Sequence, residues 1–442
     1  MPVLLNIVYG LLLIFLSPVI LWRIVRHGRY RHGLAEKLLG RLPRLSAQKP
    51  VVWFHAVSVG EVLQLQKVVA EFRTRAADRF QVLVTTSTDT GFELAASRFE
   101  GCEVSWFPLD FSWAVRTALS RIRPSLLVLM ELEFWPNMLS ACQNAGVQTA
   151  VINARMSERS FRGYRRVRRL LGPLFDRFSV VAAQSQSSAE RLVTLGARAS
   201  ATHVTGSTKF DGASADRHNA VTIALRAALG ISDDETVFIA GSTQAPEEQL
   251  AVDAWKSARA DFPNLRLIVV PRHRERFDDV AAIISTSGCS LTRRSTITAP
   301  TPIDSSTVIL LDTIGELGAC WGLADIAFVG GSFGTRGGQN MLEPAAYGAA
   351  VMFGPKTRNF RDIVAQLKSA EAAIELASPE ELQTQLRRLL MDRKSAAELG
   401  QRAQNFVLSQ QGAIAKTVEL LLDCLNPDSR APSAKSTADG DE

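Results

Sequence analysis

Val51-Val52-Trp53-Phe54-His55-Ala56-Val57-Ser58-Val59-Gly60-Glu61 is the stretch from which the chain is read. Val51 to Phe54 form a short apolar run of strand type. After Glu61, Val62, Leu63, Leu65, Val68, Val69 and Phe72 recur at helical spacing. The order is strand, tight turn at Gly60, helix. Such a turn opens at the carboxyl end of a strand, where open α/β sheets bind their ligands. Glu61 stands in the first helical turn and has two readings. As a complement to the helix dipole it contributes roughly 0.3–1 kcal/mol. As a general base it contributes about 10²–10⁴ in rate.

Working outward, apolar runs alternate with amphipathic helices. The predicted strands are Val51–His55, Val82–Thr86, Leu126–Met130, Thr149–Asn153 and Val180–Ala183. Helices are predicted to start near Glu61, Thr90, Ser112, Trp135 and Phe161. The pattern pauses over Asp211–Asp216 and resumes with a helix near Asn219–Leu229. A second series follows, with strands at Val237–Ala240, Leu267–Val270, Val308–Leu311, Ile326–Val329 and Ala350–Phe353. This alternation predicts parallel sheets of βαβ units. The expectation is two Rossmann-like domains, 51–211 and 212–425, hinged near 206–235. A long helical stretch runs from Pro379 to Leu425. The tail 426–442, rich in Pro and Ser, is expected to be disordered.

The chain has 442 residues, 46% of them hydrophobic, enough for several domains with large cores. Its 50 Lys+Arg against 44 Asp+Glu leave a mild +6. There is no RNA- or DNA-binding signature, and the clustering of Arg near the N-terminus suits anionic lipid better. The five cysteines are scattered without a CxxC pair, which indicates neither a zinc site nor a disulfide framework. From Val3 to Trp22 almost every residue is apolar and none is charged. About 20 residues at about 1.5 Å rise cross a roughly 30 Å hydrocarbon core. Arg23, Arg26, Arg29 and Arg31 follow within the basic linker 23–50, and positive charge marks the cytoplasmic side. A secretory signal would carry its charge before the apolar run. The expectation is a single-pass anchor at 3–22 with the body cytoplasmic. A helix lying in the interface is the alternative.

Several turns could carry chemistry. Glu131-Leu132-Glu133-Phe134-Trp135-Pro136-Asn137 follows a predicted strand, so Glu131 and Glu133 would share a face if the strand continued. An acidic pair beside a Phe-Trp step suits a raised carboxyl pKa. Thr205–Asp211 places Lys209 among small polar residues at the domain junction. Gly241-Ser242-Thr243 precedes a helix opened by Pro246 and Glu247, where backbone amides can cradle an anion. Pro271-Arg272-His273 closes a strand. Asp312–Leu317 and Gly330-Gly331-Ser332 are further strand-end turns, and Asn340-Met341-Leu342-Glu343-Pro344 opens a helix. Glycine clusters let a ligand approach the backbone. No Asp-x-Asp follows a strand and no His-rich cluster occurs, so nothing requires a divalent metal. The P-loop and Gly-x-Ser-x-Gly frames are absent.

Taken together, His55–Glu61, Thr85–Gly91, Glu131–Asn137, Asn153–Arg155, Gly206–Phe210, Gly241–Thr243, Pro271–Phe277, Gly315–Glu316, Gly330–Ser332 and Gly337–Glu343 resemble the Kdo transferases, the 3-deoxy-D-manno-octulosonic acid transferases of lipopolysaccharide assembly. The resemblance implies a GT-B fold, two Rossmann-like domains facing across a cleft, with the C-terminal helices packing back toward the first. It implies a CMP-Kdo donor, a lipid A precursor as acceptor, and inverting transfer without metal or other cofactor at the inner membrane. It matches Glu61 to the general base, and Glu131 and Lys209 to transition-state stabilisers. Pro271, Arg272, Ile314, Gly315, Glu316, Asn340, Met341, Leu342 and Glu343 match the CMP-binding turns. Three departures stand out: Gln244 and Gln339 replace the usual family His, and Gly33–Gly40 keeps Glu36 of the family's Arg-x-Gly-Glu-Arg-x-Gly pattern but not its partners. The alternatives are a GT-B glycosyltransferase or epimerase using a UDP-sugar, and a tethered, non-catalytic nucleotide-binding module.

Overall fold

The computed structural model describes residues 2–27, 32–45, 48–299 and 302–426. Arg29 and Arg31 of the basic linker and the tail from Pro427 lie outside the described residues. The chain divides into two compact units, residues 1–212 with 411–442, and residues 213–410. The terminal helix Ala413–Leu425, assigned by sequence to the second domain, therefore belongs to the first.

The first unit is built on an all-parallel sheet of seven strands. They are β1 Val51–His55, β2 Gln81–Thr86, β3 Glu103–Trp106, β4 Pro124–Met130, β5 Gln148–Ala154, β6 Val180–Ala183 and β7 Thr202–Val204. Their order is β3-β2-β1-β4-β5-β6-β7. Val52 pairs with Val82 on one side, and Phe54 with Val128 on the other. The order reverses between β1 and β4, which leaves a crevice at their carboxyl ends. Side chains alternate across the sheet. Trp53, Leu127 and Leu129 fill one core with Val115 and Met138, whereas Val52, Phe54 and Val128 fill the other. The helix Val59–Ala76 seals that second core with Val62, Leu65, Val68 and Phe72, and the terminal helix adds Ile414, Val418 and Leu421. Parallel strands are covered on both faces, which is why they read as unbroken apolar runs.

The second unit repeats the plan. Its strands are β8 Thr236–Thr243, β9 Leu265–Pro271, β10 Ser290–Arg293, β11 Thr307–Leu310, β12 Ile326–Val329, β13 Ala350–Phe353 and β14 Ile374–Glu375. The order is β10-β11-β9-β8-β12-β13-β14, all parallel, with the reversal between β8 and β12. Phe238, Leu267 and Phe328 share a core with Trp255 and Leu386. The helical stretch after Pro379 is three helices, Glu381–Met391, Arg393–Ser409 and Ala413–Leu425. Asp392 caps the second of them, and Gly412, at φ 98°, sits at the entry to the third.

The N-terminal helix Pro2–His27 is long and apolar enough to cross a membrane. A six-residue helix, Leu34–Leu39, interrupts what reads as a linker.

Candidate active site

The candidate catalytic residues gather at the carboxyl ends of the first sheet. Glu61 follows β1 as the third residue of its helix. Its Oε2 accepts the Val57 amide at 2.9 Å, and its Oε1 accepts the Ser58 hydroxyl at 2.7 Å. Ser58 Oγ in turn accepts the Glu61 amide at 3.3 Å. The Ser58 hydroxyl caps the helix, and the Glu61 carboxylate reaches back past it to the Val57 amide. Glu61 therefore has the local helix-start role, and its carboxylate is only partly covered. His55, its neighbour in sequence, is not available for proton transfer. It is fully buried, stacks on Phe107 at 3.7 Å, and burial lowers its pKa to about 3.

Glu131 follows β4, across the reversal from β1. The strand does not continue through it. Its φ of 57° turns the chain, so the alternation expected for Glu131 and Glu133 does not apply. The turn nonetheless gathers carboxylates. Burial raises the pKa of Glu131, the charge of Glu61 raises it further, and Lys209 and Arg155 pull it back. Burial, Glu61 and Glu131 together push Glu133 up to about 7. Lys209, from the turn after β7, thus lies within electrostatic reach of Glu131, as does the exposed Arg155 after β5.

What fixes that turn is a network the sequence reading did not single out. Asn153, at φ 53°, donates from Nδ2 to Gln64 Oε1 at 3.2 Å and accepts the Thr208 amide at 3.2 Å. Thr208 Oγ1 donates to the same Gln64 oxygen at 2.9 Å. Gln64 is on the helix of Glu61, so one amide ties that helix to the Lys209 turn. The signal available was Asn153 itself, a polar residue closing an apolar strand and one of the few types that tolerate positive φ.

In the second unit the candidate nucleotide turns also follow strand ends. Arg272, after β9, has an exposed side chain, and its amide donates to Thr243 O at 3.0 Å. Ile314 is 77% exposed and Gly315 has φ 94°, so that turn presents backbone outward. Glu316 is held by Arg294 at 2.9 Å and by the Thr313 hydroxyl. Asn340 Nδ2 donates to Glu343 at 2.9 Å and its Oδ1 accepts the Leu342 amide at 3.1 Å. The Met341 and Leu342 side chains are core residues. Only their backbone is left to meet a ligand.

The expected anion cradle at Gly241–Thr243 is arranged differently. The amides of Gln244, Gly331, Ser332 and Phe333 all donate to the buried carboxylate of Glu247, at 2.7–3.0 Å. That carboxylate already serves as the anion. A Cβ on Gly330 would lie 2.7 Å from Glu247 Oε2 and 2.6 Å from Thr243 Cα, so only glycine fits there. Among the described residues, no group of three or more His, Cys, Asp or Glu is placed to hold a metal ion.

Two parallel doubly wound units, with an acid–cation cluster on the first and outward-facing turns on the second, have the architecture of the GT-B type. The fold is also that of a UDP-GlcNAc 2-epimerase from Neisseria meningitidis, at 13% identity and a TM-score of 0.54 over 84% of this chain and all of that one. The family model for 3-deoxy-D-manno-octulosonic-acid transferase (kdotransferase) matches residues 30–212. The 3-deoxy-D-manno-octulosonic acid transferase of Haemophilus influenzae is 32% identical over 93% of this chain and 97% of its own. That of Bordetella pertussis is 33% identical over 95% and 99%. The chain belongs to the 3-deoxy-D-manno-octulosonic acid transferase family.

Proposed function

We propose that the protein transfers Kdo from CMP-Kdo to a lipid A precursor, with inversion and without a metal ion, at the cytoplasmic face of the inner membrane. The observation that carries this reading is the cluster of Glu61, Glu131, Lys209 and Arg155 at the reversal point of the first sheet, in a member of this family. An inverting transfer needs a base on the incoming hydroxyl and a bound leaving group. Glu61 is the base. The acceptor hydroxyl replaces the rotatable Ser58 hydroxyl at Oε1, and the carboxylate takes its proton as the new glycosidic bond forms. Lys209 and Glu131 act as a pair on the charge that develops, the ammonium balancing the carboxylate beside it. CMP leaves as a stabilised phosphate, so no strong general acid is needed. On the donor side, Pro271, Arg272, Ile314, Gly315, Glu316, Asn340, Met341, Leu342 and Glu343 form the CMP turns, the last four mainly by backbone and by the Asn340–Glu343 pair.

The test is to incubate the purified full-length protein with CMP-Kdo and a lipid A precursor and to count added sugars by mass. Glu61→Gln is expected to keep CMP binding and to lower transfer by about 10²–10⁴. Unchanged turnover in that variant removes Glu61 as the base. A preference for UDP over CMP removes the donor assignment.

A further inference from the structure

The apolar helix at the N-terminus passes the length test for a bilayer span. Two of its polar residues, however, are engaged by the body, whereas Ser17 bonds within the helix to Ile14 O. Asn6 Nδ2 donates to Ser112 Oγ at 2.8 Å, and Asn6 Oδ1 accepts the Ser112 amide at 3.0 Å and Asn137 Nδ2 at 3.3 Å. The Tyr9 hydroxyl donates to Asp110 Oδ2 at 3.2 Å, and its ring meets Phe111 edge-on at 6.1 Å. On the far side of the helix the chain returns to the same place. The Leu109 amide donates to Lys37 O at 2.7 Å, and Trp113 Nε1 donates to Leu38 O at 3.0 Å. The first turns of the apolar segment and the chain that follows it thus grip one stretch, residues 109–113.

A single crossing forbids this, because it puts the start of the helix and the chain after it on opposite sides of roughly 30 Å of hydrocarbon. From Tyr9 to His27 a helix advances about 27 Å. From His27 to Leu34, where the next helix begins, even a fully extended chain reaches only about 25 Å. It cannot recross, and an extended backbone in lipid would leave its polar groups unsatisfied.

We propose that this helix does not cross the bilayer: it lies along one leaflet, docked on the 109–113 face of the first unit, with both ends on the same side. Its lipid face is Val3, Leu4, Ile7, Leu11, Ile14 and Phe15, each 54–80% exposed. Trp113, 46% exposed beside the dock, suits the interfacial depth at which tryptophans collect. The dock also reaches the site. Asp110 accepts the amides of Asn137 at 2.9 Å and Met138 at 2.8 Å, capping the helix Pro136–Asn144 that directly follows Glu131–Trp135. Tyr9 and Asn6 therefore set the depth of the carboxylate turn against the lipid surface. This last consequence rests on the acceptor reading above, whereas the topology does not.

The test uses the full chain with an epitope peptide fused before Met1. In inside-out vesicles, protease is expected to remove the peptide and to attack the body together. A peptide protected there but cut in right-side-out spheroplasts overturns the proposal. A second measurement oxidises the pair Asn6→Cys and Ser112→Cys in a background lacking Cys102 and Cys289. An intramolecular disulfide seen by mass is expected, and its absence in membrane-bound protein overturns the dock. Extraction by high salt alone, giving a dimer, would assign the apolar face to a second copy and overturn the lipid assignment. None of these readouts depends on which sugar is transferred.

Discussion

Glu133 shows how one side chain reports its surroundings. Its folded pKa, about 7, lies above the usual value of about 4.3 for the unfolded chain. Between those values the folded state binds more protons, so this group makes stability fall as pH rises from about 4.5 to about 7. Glu133→Gln is expected to flatten that part of the Tm–pH profile and to raise Tm at pH 8, checked by thermal scans across pH. Glu247 is the opposite case, a buried carboxylate whose two oxygens receive four amides. Glu247→Gln turns two of those amides toward an NH₂ group. It is expected to cost on the order of 3 kcal/mol in denaturant unfolding. Neither role was legible as such. Glu247 reads as a helix-start acid, and Glu133 as half of an alternating pair. Burial and distant amides, which no local pattern encodes, decided both. The helix-start place of Glu61 was legible, because an acid in the first turn complements the helix dipole without a partner far along the chain.

The elements divide along a simple line. Every strand predicted from an apolar run exists, to within a few residues. The four that were missed, β3, β7, β10 and β14, are the four edges of the two sheets. Each is short and at least half its residues are partly or fully exposed, so it lacks the continuous apolar run that marks a strand covered on both faces. Helix ends show the same limit. The terminal helix is capped by Asp211, which accepts the amides of Gly412 at 2.7 Å and Ala413 at 3.3 Å, and that of Ile414. The two partners are 201 positions apart in the chain. Asp211→Ala is expected to cost about 1–2 kcal/mol, the range of a lost cap. Hydrogen exchange should show it first, as faster exchange across Ala413–Leu425 than in β1 or β4.

At the scale of the molecule, the first unit is discontinuous and the second is not. A fragment 213–410 carries its own sheet and core, and is expected to fold and unfold cooperatively when expressed alone. A fragment 1–212 lacks Ile414, Val418 and Leu421, which share its second core with Val68 and Phe72. It is expected to be insoluble, and adding a peptide spanning 411–426 should recover part of it, measured as soluble yield. Sequence by itself determined the two parallel sheets, the strand-end turns that hold the candidate residues, and the family they resemble. These rest on local periodicity and on motifs that keep their order along the chain. Only the tertiary structure decided that Asp211 caps the last helix, that Glu247 fills the expected anion cradle, and that Asn6 and Tyr9 meet the same stretch, residues 109–113, that Lys37 and Leu38 hold. Each of those joins groups far apart in sequence, where hydrogen bonding and burial act through space and leave no period to read.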